Sequence, residues 1–285
     1  MSQSNLFYED AWPRRLDLLK WIVDGGETDR TRVINLYQRE VAVPSERPLV
    51  VNGHAFASPR TPGGHSMVNP IGVLGQMFMS PFHLKGSLAA AWIGDMLAGE
   101  DFDHVCELGA GWGPNLFALH AEGLDPGIGL HGGELVPAAR AMMNLLAALS
   151  PPVPLDVFPV DLSAPDISGL DIPDRSRRVL FFTAHAVEYA GDIGEAFFLH
   201  LMAEFPNMVM LHFEPIGFQI DPDSANPFVR AQAEYIRDKG GNTDLFAVIE
   251  SLRKRRKIDV SYVHKDFVGV DLKNFTSILR WEPRR

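Results

Sequence analysis

Between Val105 and Gly123 the chain reads VCELGAGWGPNLFALHAEG, with glycines at 109, 111 and 113, a carboxylate at Glu107 and a helix-like tail behind. Alternate glycines allow positive φ and remove the Cβ atoms that would hold a ligand off the backbone. A helix starting directly behind them aims its free N–H groups at the same space. The dinucleotide fingerprint, G-x-G-x-x-G, requires glycine where Pro114 stands. Glu107 also argues against a pyrophosphate, because a carboxylate so close to the loop repels it. A ligand with a positive centre and an ammonium group is attracted instead.

S-adenosylmethionine has both groups and no phosphate. On these residues the chain resembles the class I S-adenosylmethionine-dependent methyltransferases, whose first motif is an acid, a spacer and G-x-G-x-G, as ELGAGWG reads. The resemblance implies that Glu107, Gly109, Ala110, Gly111 and Gly113 bind that cofactor. It also implies an acid for the ribose hydroxyls at the end of the second strand. Glu134 closes IGLHGGE there, near the offset of about 20 residues expected of a ribose-binding acid. A polar residue after the third strand faces the adenine in the family, and Asp161 in FPVDLS matches it, although an Asp before LSAPD also suits a turn cap. The resemblance spans roughly Phe102 to Pro283.

Methyl transfer to a hydroxyl or a protonated amine needs an aligned acceptor and a base. In the family the end of the fourth strand faces the transferring methyl. Many amide- and base-modifying members carry Asn or Asp followed by Pro-Pro-Tyr there, whereas this chain has TAHAVEYA. The departure turns the expectation away from nucleic-acid adenine or glutamine. His185 is the candidate base, since imidazole titrates near neutral pH, with Glu188 three residues on to orient it or to bind substrate. In LHFEP, His212 and Glu214 share one strand face, and Glu214, nearer the carboxyl end, is read as a catalytic, site-lining candidate beside His185 and Glu188. These four side chains also compose a conceivable divalent-metal set, but His212 reads as a structural residue and no metal is assigned. FFTAHAVEYA, LHFEP and the closing NFTSILRWEP together are similar to methyltransferases associated with polysaccharide or natural-product gene sets. The expected acceptor is therefore an O or N nucleophile of a small polar molecule, a glycan or a peptide.

The elements that must position these residues alternate from Phe102 onward. HVCELGA, IGLHGGE, PLDVFPVD, RRVLFFTAH and NMVMLHFEP read as strands, with PNLFALHAEG, PAARAMMNLLAAL and EAFFLHLMAEF as helices between them. KIDVSYVHKDF and NFTSILRWEP follow as an antiparallel pair. The predicted fold is α/β: a Rossmann-like, doubly wound, seven-stranded, mostly parallel sheet with an antiparallel C-terminal strand pair. Residues 1–100 lack this alternation and read as a mainly helical cap before a cofactor-binding domain at 101–285. RRLDLLKWIVD and PFHLKGSLAAAWIGDMLAGE have helical spacing, VAVPSERPLVVNG is extended, and FASPRTPGGHSMVNPIG is a loop. Gln76, His83 and Lys85 in the cap lie where related enzymes fold over the cofactor, and GGHSMVNP has the composition of a lid.

A net charge of -10 argues against nucleic acid as partner. The basic run RKRR ends the helical TDLFAVIESLRKRR, where cations favour the C-terminus. One cysteine excludes an internal disulfide, and no apolar run reaches the roughly 18 residues of a membrane span. A cytoplasmic location is expected, with no membrane partner and with a homodimer left open. Two other readings stand beside the enzyme: a non-catalytic S-adenosylmethionine-binding or scaffolding protein, and a nicotinamide-dependent oxidoreductase, which Pro114 and Glu107 disfavour.

Overall fold

A computed structural model describes residues 3–41, 49–51, 54–56, 69–74, 76–80, 87–164, 166–269 and 275–285. The elements before the glycine loop are α1 (Gln3–Asp24), α2 (Arg30–Val41), β1 (Leu49–Val51), β2 (His54–Phe56), β3 (Asn69–Val73), β4 (Gln76–Ser80) and α3 (Ser87–Gly99). Then follow β5 (His104–Leu108), α4 (Pro114–Ala121), β6 (Gly129–Gly133), α5 (Pro137–Ala148), β7 (Leu155–Phe158), β8 (Val179–Ala184), α6 (Gly194–Glu204) and β9 (Val209–Glu214). The chain ends through α7 (Gly217–Ile220), α8 (Pro227–Asp238), α9 (Leu245–Lys254), β10 (Ile258–Gly269) and β11 (Phe275–Pro283).

Five strands, in the order β9-β8-β5-β6-β7, are mutually parallel, as suits short apolar runs joined mostly through helices; β7 and β8 are joined by a loop instead. β11 pairs antiparallel with β9, and β10 antiparallel with β11, which gives the expected seven-stranded sheet. From β5 the chain winds outward to β6 and β7, then returns to β8 on the other side. Ligands of such sheets sit at that reversal, outside the carboxyl ends of the strands.

The sheet is wider than the sequence indicates. β3 and β4 form a hairpin that pairs antiparallel with β10 and extends the sheet to nine strands. Asn69–Val73 therefore includes the end of the stretch read as loop. Phe56, at its start, closes β2; residues 57–68, which include most of GGHSMVNP, and both His83 and Lys85 lie outside the described residues. Gln76 opens β4 and is exposed.

Each face of the sheet buries its own apolar layer. One layer takes Leu116 and Phe117 from α4, Met142, Met143 and Leu146 from α5, and Trp12, Leu19, Val33 and Tyr37 from α1 and α2. The other packs Phe197, Phe198 and Leu201 of α6 and Ile249 and Leu252 of α9 against Phe181, Met210 and Trp281. Side chains alternate along each strand, so neighbouring residues on β8 and β9 enter opposite layers. The basic run closes α9, where Arg253 pairs with Glu250 and Arg255 with Glu195. Among the described residues no helix is long and apolar enough to cross a membrane.

Candidate functional site

β5 delivers Glu107 to the carboxyl edge of the sheet, and the chain then turns through the glycines into α4. Gly109, Gly111 and Gly113 all have positive φ, at 78°, 59° and 81°. Their surroundings divide their duties. A Cβ on Gly109 would stand 2.4 Å from the Cβ of Ala186, and one on Gly113 would press on Met143 and Phe117 at 3.1 and 3.2 Å. Both glycines thus serve close packing. Gly111 alone of the three has no backbone or aliphatic neighbour in the way; its nearest contact is the indole of Trp12, at 3.5 Å.

The loop is pinned from below by β6. Gly109 and Ala110 both donate their N–H groups to the Gly133 carbonyl, at 2.8 and 2.9 Å. Glu134, next in sequence, accepts from the Gly111 N–H through Oε2 and from the Val136 N–H through Oε1, each at 2.8 Å. Its carboxylate joins the glycine loop to the start of α5, and burial pushes its pKa up against those hydrogen bonds.

Glu107 is 1% exposed. Asn115, in the first turn of α4, donates Nδ2 to Oε1 at 2.6 Å, while Oε2 is buried with no hydrogen-bond partner. Burial pushes this carboxyl up to about 8; the Asn115 bond opposes the rise and nearby Glu134 adds to it. A buried acid with one unused oxygen beside a bare glycine loop suits a cationic or donor group on a ligand. Asp161 sits beyond β7 on the same edge, where Oδ1 accepts from the Ser163 N–H and hydroxyl at 2.9 and 2.6 Å. It caps its own turn in this state.

A second cluster lies across the Gly109–Ala186 contact, at the ends of β8, β9 and β11. His185 takes a left-handed conformation, φ 54°, and donates its N–H to the Phe213 carbonyl at 2.9 Å. Its Nδ1 lies 2.9 Å from Glu188 Oε1 and its Nε2 2.7 Å from Thr276 Oγ1. Glu214 is fully buried. Its Oε1 accepts from the Ala186 and Val187 N–H groups at 3.0 and 3.1 Å, and Oε2 from the Glu188 N–H at 3.4 Å. Burial raises its pKa to about 7; the His185 ring pulls it down and Glu188 pushes it up. Glu214 thus holds the turn that aims His185.

His212 stands apart from this cluster. Trp281 donates Nε1 to its Nε2 at 3.1 Å, and its Nδ1 meets the Thr183 hydroxyl at 2.9 Å. With both ring nitrogens used inside the core it leaves the conceivable metal set, and among the described residues no group of His, Cys, Asp and Glu is placed to hold a metal ion. Burial drives its pKa down to about 3, so the ring is neutral.

Four residues near these clusters escape the sequence reading. Asn115 leaves one signal, a lone amide in the apolar helix PNLFALHA. Trp12, Ala186 and Thr276 leave none, because their contacts join segments far apart in the chain.

No family model matches the sequence, nor does any curated protein. Among solved structures, the chain is similar to the methyltransferase PaMTH1 of Podospora anserina, solved with S-adenosylhomocysteine bound, at a TM-score of 0.51 and 14% identity over 70% of this chain and 79% of that one. It is more loosely similar to the mitomycin 7-O-methyltransferase MmcR, at 0.43 and 15% identity over 70% and 55%. The chain has the fold of the class I S-adenosylmethionine-dependent methyltransferases.

Proposed function

We propose that the protein is an S-adenosylmethionine-dependent methyltransferase acting on an O or N nucleophile of a small polar molecule, a glycan or a peptide. The observation that carries this reading is Glu107, buried with an unused oxygen, at the sheet's reversal point beside a glycine loop whose Gly111 faces only the Trp12 indole. The residues present fit the cofactor: Glu107 suits its ammonium group, Glu134 its ribose hydroxyls, and the loop from Gly109 to Gly113 its close approach. Asp161, on the same edge, would face the adenine. When bound, the cofactor supplies an electrophilic methyl group.

On the acceptor side His185 is the base. Glu188 fixes its tautomer and stabilises the imidazolium that forms when it takes a proton, as a carboxylate does for a catalytic histidine. Glu214 is a positioning residue, buried below the turn rather than open to substrate. Within the N-terminal 100 residues α1 acts as the cap over the cofactor, bringing Trp12 onto the loop.

The test is transfer of labelled methyl from S-adenosylmethionine into a source-cell extract, fractionated into macromolecules, peptides and small polar metabolites. Label entering one fraction, and lost with His185→Ala, is the expected result. Tight S-adenosylhomocysteine binding without transfer to any fraction favours the scaffolding reading, and binding of NADH in its place favours the oxidoreductase.

A further inference from the structure

The contacts of His185 say which of its atoms can act and what must touch it. A carboxylate only accepts hydrogen bonds, so in the neutral ring the proton sits on Nδ1, facing Glu188 at 2.9 Å. Nε2 is left with a single lone pair in the ring plane. That lone pair points at the Thr276 hydroxyl, 2.7 Å away, which is therefore the donor. The backbone that carries the ring is held in place. The Phe213 carbonyl takes the His185 N–H, and Glu214 grips the next three N–H groups. The Glu188 side chain is 4% exposed and that of His185 33%. The chain Glu188–His185–Thr276 thus runs from a buried carboxylate, through the more open imidazole, to a hydroxyl at the carboxyl edge whose residue is 7% exposed.

An acceptor cannot share a lone pair that Thr276 already uses. A hydroxyl, however, keeps lone pairs of its own after donating its proton. We propose that Thr276 is a catalytic residue that relays the acceptor's proton to Nε2 of His185; this rests on the methyltransferase reading and adds the group that touches the acceptor. In the balanced step, the acceptor's O or N nucleophile forms its bond to the methyl carbon as the methyl–sulfur pair leaves with sulfur. The acceptor's proton passes to Thr276 Oγ1, and the proton of Thr276 passes to Nε2. The imidazolium left behind faces the Glu188 carboxylate and later returns its proton to solvent.

The relay is tested in two ways on the full chain, by NMR with S-adenosylhomocysteine saturating the cofactor site and by transfer from labelled S-adenosylmethionine without it. Long-range nitrogen–proton NMR, with His185→Gln to assign the signals, reads the tautomer whether or not an acceptor is in hand. The expected result is a proton on Nδ1, a preference weakened in Glu188→Gln; a neutral ring protonated on Nε2 overturns the relay. In the labelled-methyl assay on small polar metabolites, Thr276→Val removes the hydroxyl at constant shape. Its rate is expected to fall at least about a hundredfold, with Thr276→Ser restoring it to within about tenfold. S-adenosylhomocysteine affinity should be unchanged in both. Transfer by Thr276→Val at the wild-type rate overturns the relay and leaves the methyltransferase reading intact. Failure of the wild-type chain to bind S-adenosylhomocysteine defeats that reading instead, whatever tautomer His185 adopts.

Discussion

Asn115 donates to only one oxygen of Glu107, at 2.6 Å, and the other oxygen is buried without a partner. This acid keeps its proton to about pH 8 because burial disfavours the charged form. A cationic ligand group beside it favours ionisation, so binding releases a proton at neutral pH. The affinity for S-adenosylhomocysteine should therefore rise with pH from about 6 to about 8 and then level. Isothermal titration in two buffers of different ionisation enthalpy measures the released proton directly. Glu107→Gln should bind at least about tenfold more weakly and lose the slope, since losing a charge-assisted hydrogen bond costs ~1.5–3 kcal/mol.

The glycines should separate into packing and binding positions. Gly109→Ala drives a methyl into Ala186 at 2.4 Å and keeps a positive φ. Overpacking costs ~1–3 kcal/mol, and the left-handed backbone adds ~1–2 kcal/mol. Gly111→Ala carries only the backbone strain, since Trp12 is at an ordinary contact distance. Urea denaturation should show the larger loss at Gly109. Replacing Gly111 with Leu should leave the chain folded and abolish cofactor binding, and unaltered binding in that variant would sink the assignment of the loop.

Two buried groups should shape stability against pH in opposite directions. The folded chain holds a proton on Glu214 up to about pH 7, while the unfolded chain releases it from about 4.5. Its contribution is complete below 4.5 and lost as pH rises toward 7. The folded chain refuses a proton at His212 down to about pH 3, while the unfolded chain takes one below 6.5. That contribution is present above 6.5 and lost as pH falls toward 3. Chemical denaturation between pH 4 and 8 should show Glu214→Gln flattening the neutral side and His212→Gln the acid side. Glu214→Ala should cost about 1–3 kcal/mol by orphaning buried N–H groups.

The parallel sheet was legible because its strands are short apolar runs punctuated by Gly, Pro and Asp. Glu107, the glycines and Glu134 were legible for a related reason: local chain geometry fixes where residues at a strand end point. Cross-chain contacts leave no such mark. Thr276 reaches His185 only because β11 inserts beside β9, and Thr276 looks like any other strand threonine. The β3–β4 hairpin was hidden in a Gly- and Pro-rich stretch, since pairing with the edge of β10 supplies what its own sequence does not. In α2, Val33 and Tyr37 are buried one turn apart within a largely polar run, too sparse a stripe to announce a helix.

Trp12 gives the cap its own test. Its indole covers the open side of Gly111 at 3.5 Å, and the Arg15 guanidinium stacks on the indole at 4.7 Å. Nearby, Tyr37 meets Trp112 edge-on at 5.5 Å, so α1 and α2 both engage the loop through aromatic rings. A ligand that reaches the Gly111 backbone must lie against this indole or displace it, and either event alters its emission. S-adenosylhomocysteine should change the tryptophan fluorescence of the wild-type chain, and Trp12→Phe should remove most of that change although four other tryptophans remain. If the indole stacks on the ligand, Trp12→Ala loses ~0.5–1.5 kcal/mol and binds about 2–10-fold more weakly. Weaker binding is the expected result, because the indole is buried against the loop and its face completes the slot over the glycines. Tighter binding in Trp12→Ala would instead make α1 a barrier that the cofactor has to lift.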